Sequence, residues 1–147
     1  VINALIANQI GHADSMVSDV SPVEDLTGGF VTAGASRTTA TASSLRPALA
    51  LSVAIRTPSE PLTPEVEQAW RTANQRGVRF IRQLQITPEQ APRTAVPKRA
   101  LGAIKRAPWS NVTTLGDSAL GLLLATELIM DLDGSSGKSA KIDGTPP

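Results

Sequence analysis

Residues 131–139, Asp-Leu-Asp-Gly-Ser-Ser-Gly-Lys-Ser, hold the strongest candidates for chemistry in the chain. Asp131 and Asp133, two positions apart and followed by Gly134 and Ser135, have the D-x-D-G-[ST] form of a phosphatase nucleophile loop. Gly137-Lys138-Ser139 ends as a phosphate-cradling P-loop does. Neither reading survives the context. The nucleophile loop sits at the tip of the first strand of a doubly wound sheet, and only eight residues follow Ser139. A P-loop needs G-x-x-x-x-G-K-[ST], but the position five before Gly137 is Leu132. It also needs a following helix whose N-terminal amides face the phosphates, and 140–147, ending Thr-Pro-Pro, supplies none. An EF-hand counted from Asp131 requires Gly at its sixth position and Glu at its twelfth, where Ser136 and Ile142 stand.

Other chemistry is sparse. His12 is the single histidine and there is no cysteine, which excludes multi-histidine and thiolate metal sites, cysteine nucleophiles and disulfides. Gly116-Asp-Ser-Ala-Leu120 lacks the glycine two residues after the serine that a nucleophile elbow requires. Asp117 and Ser118 suit the cap of a following helix instead. Glu65 and Glu67, at i and i+2 on a helix, do not face each other and form no carboxylate dyad. The expectation is a non-enzymatic protein without cofactor or metal.

The informative signal is charge. The net charge of +1 conceals a segregation. Residues 1–70 set three arginines against seven carboxylates, a balance of −4. Residues 71–106 carry Arg71, Arg76, Arg79, Arg82, Arg93, Lys98, Arg99, Lys105 and Arg106 against Glu89 alone, +8. Residues 107–147 return to −3. An arginine-rich stretch of this kind can engage phosphates through bidentate forks and counterion release. It can equally meet the acidic flanks of a neighbouring copy. These nine cations are therefore the candidate polyanion or subunit contacts.

The elements that would carry them follow from periodicity and punctuation. Thr63-Pro64-Glu65 is a helix start, with N-cap, proline at the first position and acid in the first turn. From there Val66, Trp70, Ala73, Gly77, Phe80, Ile81 and Leu84 fall on one side and Arg71, Arg76, Arg79 and Arg82 on the other, predicting an amphipathic helix over 64–85. A strand over 78–86 is the rival. Trp70 and Phe80 then belong to the core rather than to base stacking, while Trp109 is freer. Leu49, Leu51, Val53 and Ile55 alternate with small residues and predict one short β element near 48–56, with 30–33 and 111–115 as possible partners. Further helices are expected at 2–10, at 97–107 after Pro97, and at 116–132, the last leucine-rich on much of its circumference and hence the central buried helix. A short helical turn could open at Ser21-Pro22.

This amounts to a mainly α fold, a small bundle of three or four helices with one short β element. Its organisation is an N-terminal helical segment (1–31), an extended Thr/Ala/Ser-rich arm (32–47), a core (48–133) and a flexible tail (134–147). With no Tyr, no Cys, two Phe and two Trp, the core must be aliphatic. No apolar run is long enough to span a bilayer, and 1–15 lacks the basic region and cleavage pattern of a signal peptide. A soluble protein is expected, cytoplasmic or within a virus particle. The functional expectation is a structural or assembly protein that associates with its own copies through charge patches and arms. A virion shell or coat component whose basic surface faces nucleic acid is one such form. The alternative is a nucleic-acid-binding regulatory module using 71–106, to RNA or DNA.

Overall fold

The computed structural model describes residues 1–11, 25–31 and 40–139, with side chains as far as Leu132. The expectations for His12, for a turn at Ser21-Pro22, for the arm over 32–39 and for the tail from 140 lie outside the described residues. The fold is mainly helical with one small antiparallel hairpin. In chain order it runs α1 (Ile2–Ala7), a 3-10 turn (Ala42–Ser44), α2 (Leu45–Arg56), α3 (Pro64–Leu84), a 3-10 turn (Ala91–Arg93), α4 (Pro97–Ala100), β1 (Lys105–Ala107), β2 (Ser110–Thr113) and α5 (Leu115–Ser139).

Helix α2 lies at the centre and packs against both α3 and α5. It occupies the stretch where alternation suggested a strand, and that expectation is corrected. The buried residues are Leu45, Ala48, Leu51, Ser52 and Ile55, a 3.6-residue stripe. Ala48, Ala50 and Ala54 are strong helix formers. Pro47 falls in the first turn, where its missing N–H goes unused. The alternation of Leu49, Leu51, Val53 and Ile55 was a coincidence of two overlapping stripes. Val53, which a strand would have buried, is 37% exposed.

Helix α3 forms as its sequence predicts. Thr63 Oγ1 accepts from Val66 N at 3.5 Å, Pro64 stands at the first position, and Glu65 and Glu67 occupy the first turn. Ala73, Gly77, Phe80, Ile81 and Leu84 are buried, together with Asn74. Across the interface Ser52 Oγ lies 3.1 Å from Asn74 Oδ1 and 3.0 Å from the Ala48 carbonyl, so the one buried polar pair between α2 and α3 is satisfied.

The β element is at 105–113 rather than 48–56. β1 and β2 pair antiparallel, Lys105 with Thr113 and Ala107 with Ser110, around Pro108-Trp109 and with an irregularity in β1. The expected helix over 97–107 is cut to four residues. Gly102 takes φ +79°, and the chain turns back so that Ile86 N donates to Ala103 O and Gly102 N to Ile86 O, both at 2.9 Å. Helix α1 stops at Ala7, because residues 8–10 pair instead with 28–31: Ile10 N donates to Gly29 O at 2.8 Å and Val31 N to Asn8 O at 3.0 Å.

The part of the expected arm over 40–47 is not an extended arm. Ala40, Ala42 and Ser44 are buried. Ser44 Oγ accepts from Phe30 N at 2.9 Å and lies 3.3 Å from the Phe30 carbonyl, tying 25–31 to the start of α2. Two glycines allow this close packing. Gly28 has φ +90°, and a Cβ there would meet the Arg76 carbonyl at 2.2 Å; at Gly77 it would meet the Phe30 ring at 2.8 Å. The resulting core joins Ile10, Leu26, Phe30, Leu45, Leu51, Phe80, Leu84, Ile104 and Leu124 in one cluster.

Helix α5 begins at Leu115 and continues to Ser139, absorbing residues 134–139 of the expected tail. Its cap is Thr114, whose Oγ1 accepts from Asp117 N at 3.0 Å. Asp117 therefore sits inside the first turn, and the Ser118 hydroxyl instead accepts from Ile104 N at 3.4 Å. Asp131-Leu132-Asp133-Gly134-Ser135 is thus part of a helix.

Candidate interaction surface

The nine candidate cations are distributed over several elements. Arg76, Arg79 and Arg82 lie along α3 and are exposed. Arg93 closes the second 3-10 turn, Lys98 and Arg99 occupy α4, and Arg106 is in β1; all four are exposed. Lys105, on the other face of β1, is 9% exposed and does not belong to the open surface. Arg71 is committed within the molecule. Its guanidinium is 2.9 Å from Glu67 and 3.0 Å from Asp131, so it bridges α3 to α5. Burial draws its pKa down, but the hydrogen bonds and charges of Glu67 and Asp131 outweigh that and raise it. Arg79 reaches Asp25 at 4.0 Å. Arg76, Arg82, Arg93, Lys98, Arg99 and Arg106 form no ion pair among the described residues.

Arg79 and Arg82 also line an open groove of about 480 Å³ between α3 and α5, with Gln75, Gln83, Val78 and Leu128. A larger cavity of about 940 Å³ lies beside α2, with Arg46, Arg106 and Asp117 on a wall that is otherwise apolar or hydroxyl-bearing. Among the described residues no cluster of three His, Asp or Glu could hold a metal ion.

Helix α5 contradicts the expectation of a central buried helix. Leu124 is 2% exposed, and Leu120 and Leu128 one turn either side are partly buried against the core. The rest of its apolar surface faces outward: Leu115 is 88% exposed, Leu122 70% and Ile129 59%, joined by Leu123, Met130 and Leu132. The reason is geometric. A helix that is apolar all round needs neighbours all round. Here one short helix, α2, supplies most of the cover on one side, so only the stripe through 120, 124 and 128 can be buried.

The polar groups of α5 are arranged inversely to those of an ordinary surface helix. Its carboxylates as far as Leu132 turn toward the body. Glu127 takes a two-pronged contact from Arg56, at 2.8 Å and 3.1 Å, and Asp131 takes Arg71. Asp117 lines the larger cavity. On the outer side Thr126 Oγ1 donates to the Leu122 carbonyl at 3.0 Å, so its hydroxyl is satisfied within the helix. The outer face from Leu115 to Leu132 carries no charge. Sequence reasoning missed it because hydropathy alone cannot tell an apolar residue that is covered from one that is not. The signal was present in the spacing: Leu115, Leu122 and Ile129 recur every seven residues, while Asp117, Glu127 and Asp131 share the opposite side.

No protein-family model matches this chain, and neither a curated protein nor a solved structure matches it significantly. Among the described residues no helix is long and apolar enough to cross a membrane.

Proposed function

We propose that this chain is a non-enzymatic structural or assembly protein that associates with copies of itself. Its basic surface would meet either the acidic flanks of neighbouring copies or a nucleic acid enclosed by the assembly, as in a shell or coat component. The observation that carries this reading is the charge segregation, from −4 to +8 to −3 along the chain, together with the exposure of six basic-segment cations that have no carboxylate partner among the described residues. Opposed patches of this size give register and orientation to association more than raw affinity.

The exposed row Arg76, Arg79 and Arg82 on one helix favours one second reading, a nucleic-acid-binding regulatory module. Charge reversal separates the two. Arg79→Glu with Arg82→Glu leaves the buried face of α3 untouched. In an assembly protein the pair should lower the sedimentation coefficient at low salt. In a regulator that is a monomer or dimer, sedimentation of the free protein stays unchanged and only duplex or RNA binding is lost. A variant that keeps both its assembly state and its nucleic-acid affinity removes the basic face from either role.

A further inference from the structure

We propose that a second copy of this chain packs against the outer face of α5, helix against helix. The inference rests on the assembly reading and names an interface distinct from the charge patches. Over about 26 Å of helix from Leu115 to Leu132, the face repeats with a seven-residue period. Leu115, Leu122 and Ile129 form one row, Ala119 and Thr126 a second, and Leu123 and Met130 flank them. A 3.5-residue seam of this kind is the pattern with which helices pack knobs into holes.

The extent of the face suits a second copy. The large side chains of these rows and flanks sum to the equivalent of about three fully exposed aliphatic residues, on the order of 400 Å² of apolar surface. That is within the range of the largest patches found on monomers, roughly 300–600 Å². With Ala119, Thr126 and the adjoining backbone it approaches the ~800 Å² per partner of a stable interface.

The face is also complementary to itself. In an antiparallel pairing centred near residue 124, Leu122 of one copy meets Thr126 of the other, and Ile129 meets Ala119. Large residues then oppose small ones along the seam, and the two helix dipoles run oppositely. Between Ala119 and Ile129 no charge lies in the contact, because Glu127 and Asp131 are engaged by Arg56 and Arg71 on the inner side; in this register Asp133 stands opposite Leu115 at either end of the seam. This pairing should therefore persist in high salt, where contacts between charge patches are screened.

The test measures mass by light scattering after size exclusion, at about 0.1 M and about 1 M NaCl, for the wild-type chain and for Leu122→Glu/Ile129→Glu. Because both residues are exposed, the variant should keep the wild-type far-ultraviolet dichroism. The expected result is a wild-type dimer or larger species at high salt and a single chain for the variant. Ala119→Lys, which keeps a good helix former at an exposed position, should act in the same direction should the double variant fail to fold. A high-salt oligomer unaffected by either variant overturns the α5 interface while leaving the assembly reading intact. So does a species that assembles at low salt and falls to single chains at high salt. A wild-type monomer at both salts overturns both.

Discussion

The orientation of α5 can be tested by two identical substitutions two residues apart. Leu124 is in the core cluster and 2% exposed, whereas Leu122 is 70% exposed. Leu124→Ala removes buried carbons and leaves a cavity beside α2, a loss of about 2–5 kcal/mol. Leu122→Ala removes carbons already in water. In the isolated chain its effect should stay within about 0.5 kcal/mol, part of it offset by the better helix propensity of alanine. Urea unfolding at high dilution, where single chains predominate, reads this difference. With a slope of about 1.5 kcal/mol/M, Leu124→Ala should lower the midpoint by roughly 1.3–3.3 M and Leu122→Ala by no more than about 0.3 M. At higher protein concentration Leu122→Ala alone should acquire an additional, concentration-dependent loss as the α5 pairing weakens. Equal midpoint shifts for the two variants at high dilution would mean that α5 is not turned as described, and the inferred interface would go with it.

Three further outcomes follow from the packing. Ser44→Ala should destabilise by about 1–3 kcal/mol, because the buried amide of Phe30 loses its acceptor; an unchanged thermal midpoint would show that 25–31 is not held at this point. Gly28→Ala should cost more than about 1 kcal/mol, since φ is +90° and the new Cβ would press on the Arg76 carbonyl, and denaturant titration checks it. Glu127→Gln breaks the two-pronged contact with Arg56, which is only partly buried, and should cost about 0.5–1 kcal/mol at low salt and less at high salt; a salt-independent loss would point to packing rather than charge.

The parts of the fold that were legible in the sequence are those where several local signals agreed. In α3 the cap Thr63, the proline at 64, the acids of the first turn and a clean apolar stripe all specify one helix, and it forms from Pro64 to Leu84, one residue short of the expected end. In α2 the signals conflicted. The period-2 alternation of Leu49, Leu51, Val53 and Ile55 points to a strand and the alanines between them to a helix, and tertiary burial on α3 and α5 decides for the helix. The turn at Gly102 and the hairpin after it depend on long-range pairing of 103 with 86, which no local pattern announces. The basic surface was legible as composition, but not the ion pairs that withdraw Arg71 from it, because Asp131 is sixty positions away. The outer face of α5 was legible as a heptad spacing of leucines and was misassigned to the core, since its exposure depends on how few elements remain to cover it.

The most direct measurement is the mass of the wild-type chain in solution at about 0.1 M and about 1 M NaCl, with ultraviolet absorbance recorded for bound nucleic acid. The assembly reading predicts a species larger than one chain at low salt. The α5 pairing predicts that at least a dimer survives at high salt, with any nucleic acid released. A clean single chain at both salts, carrying no nucleic acid, would contradict the central claim.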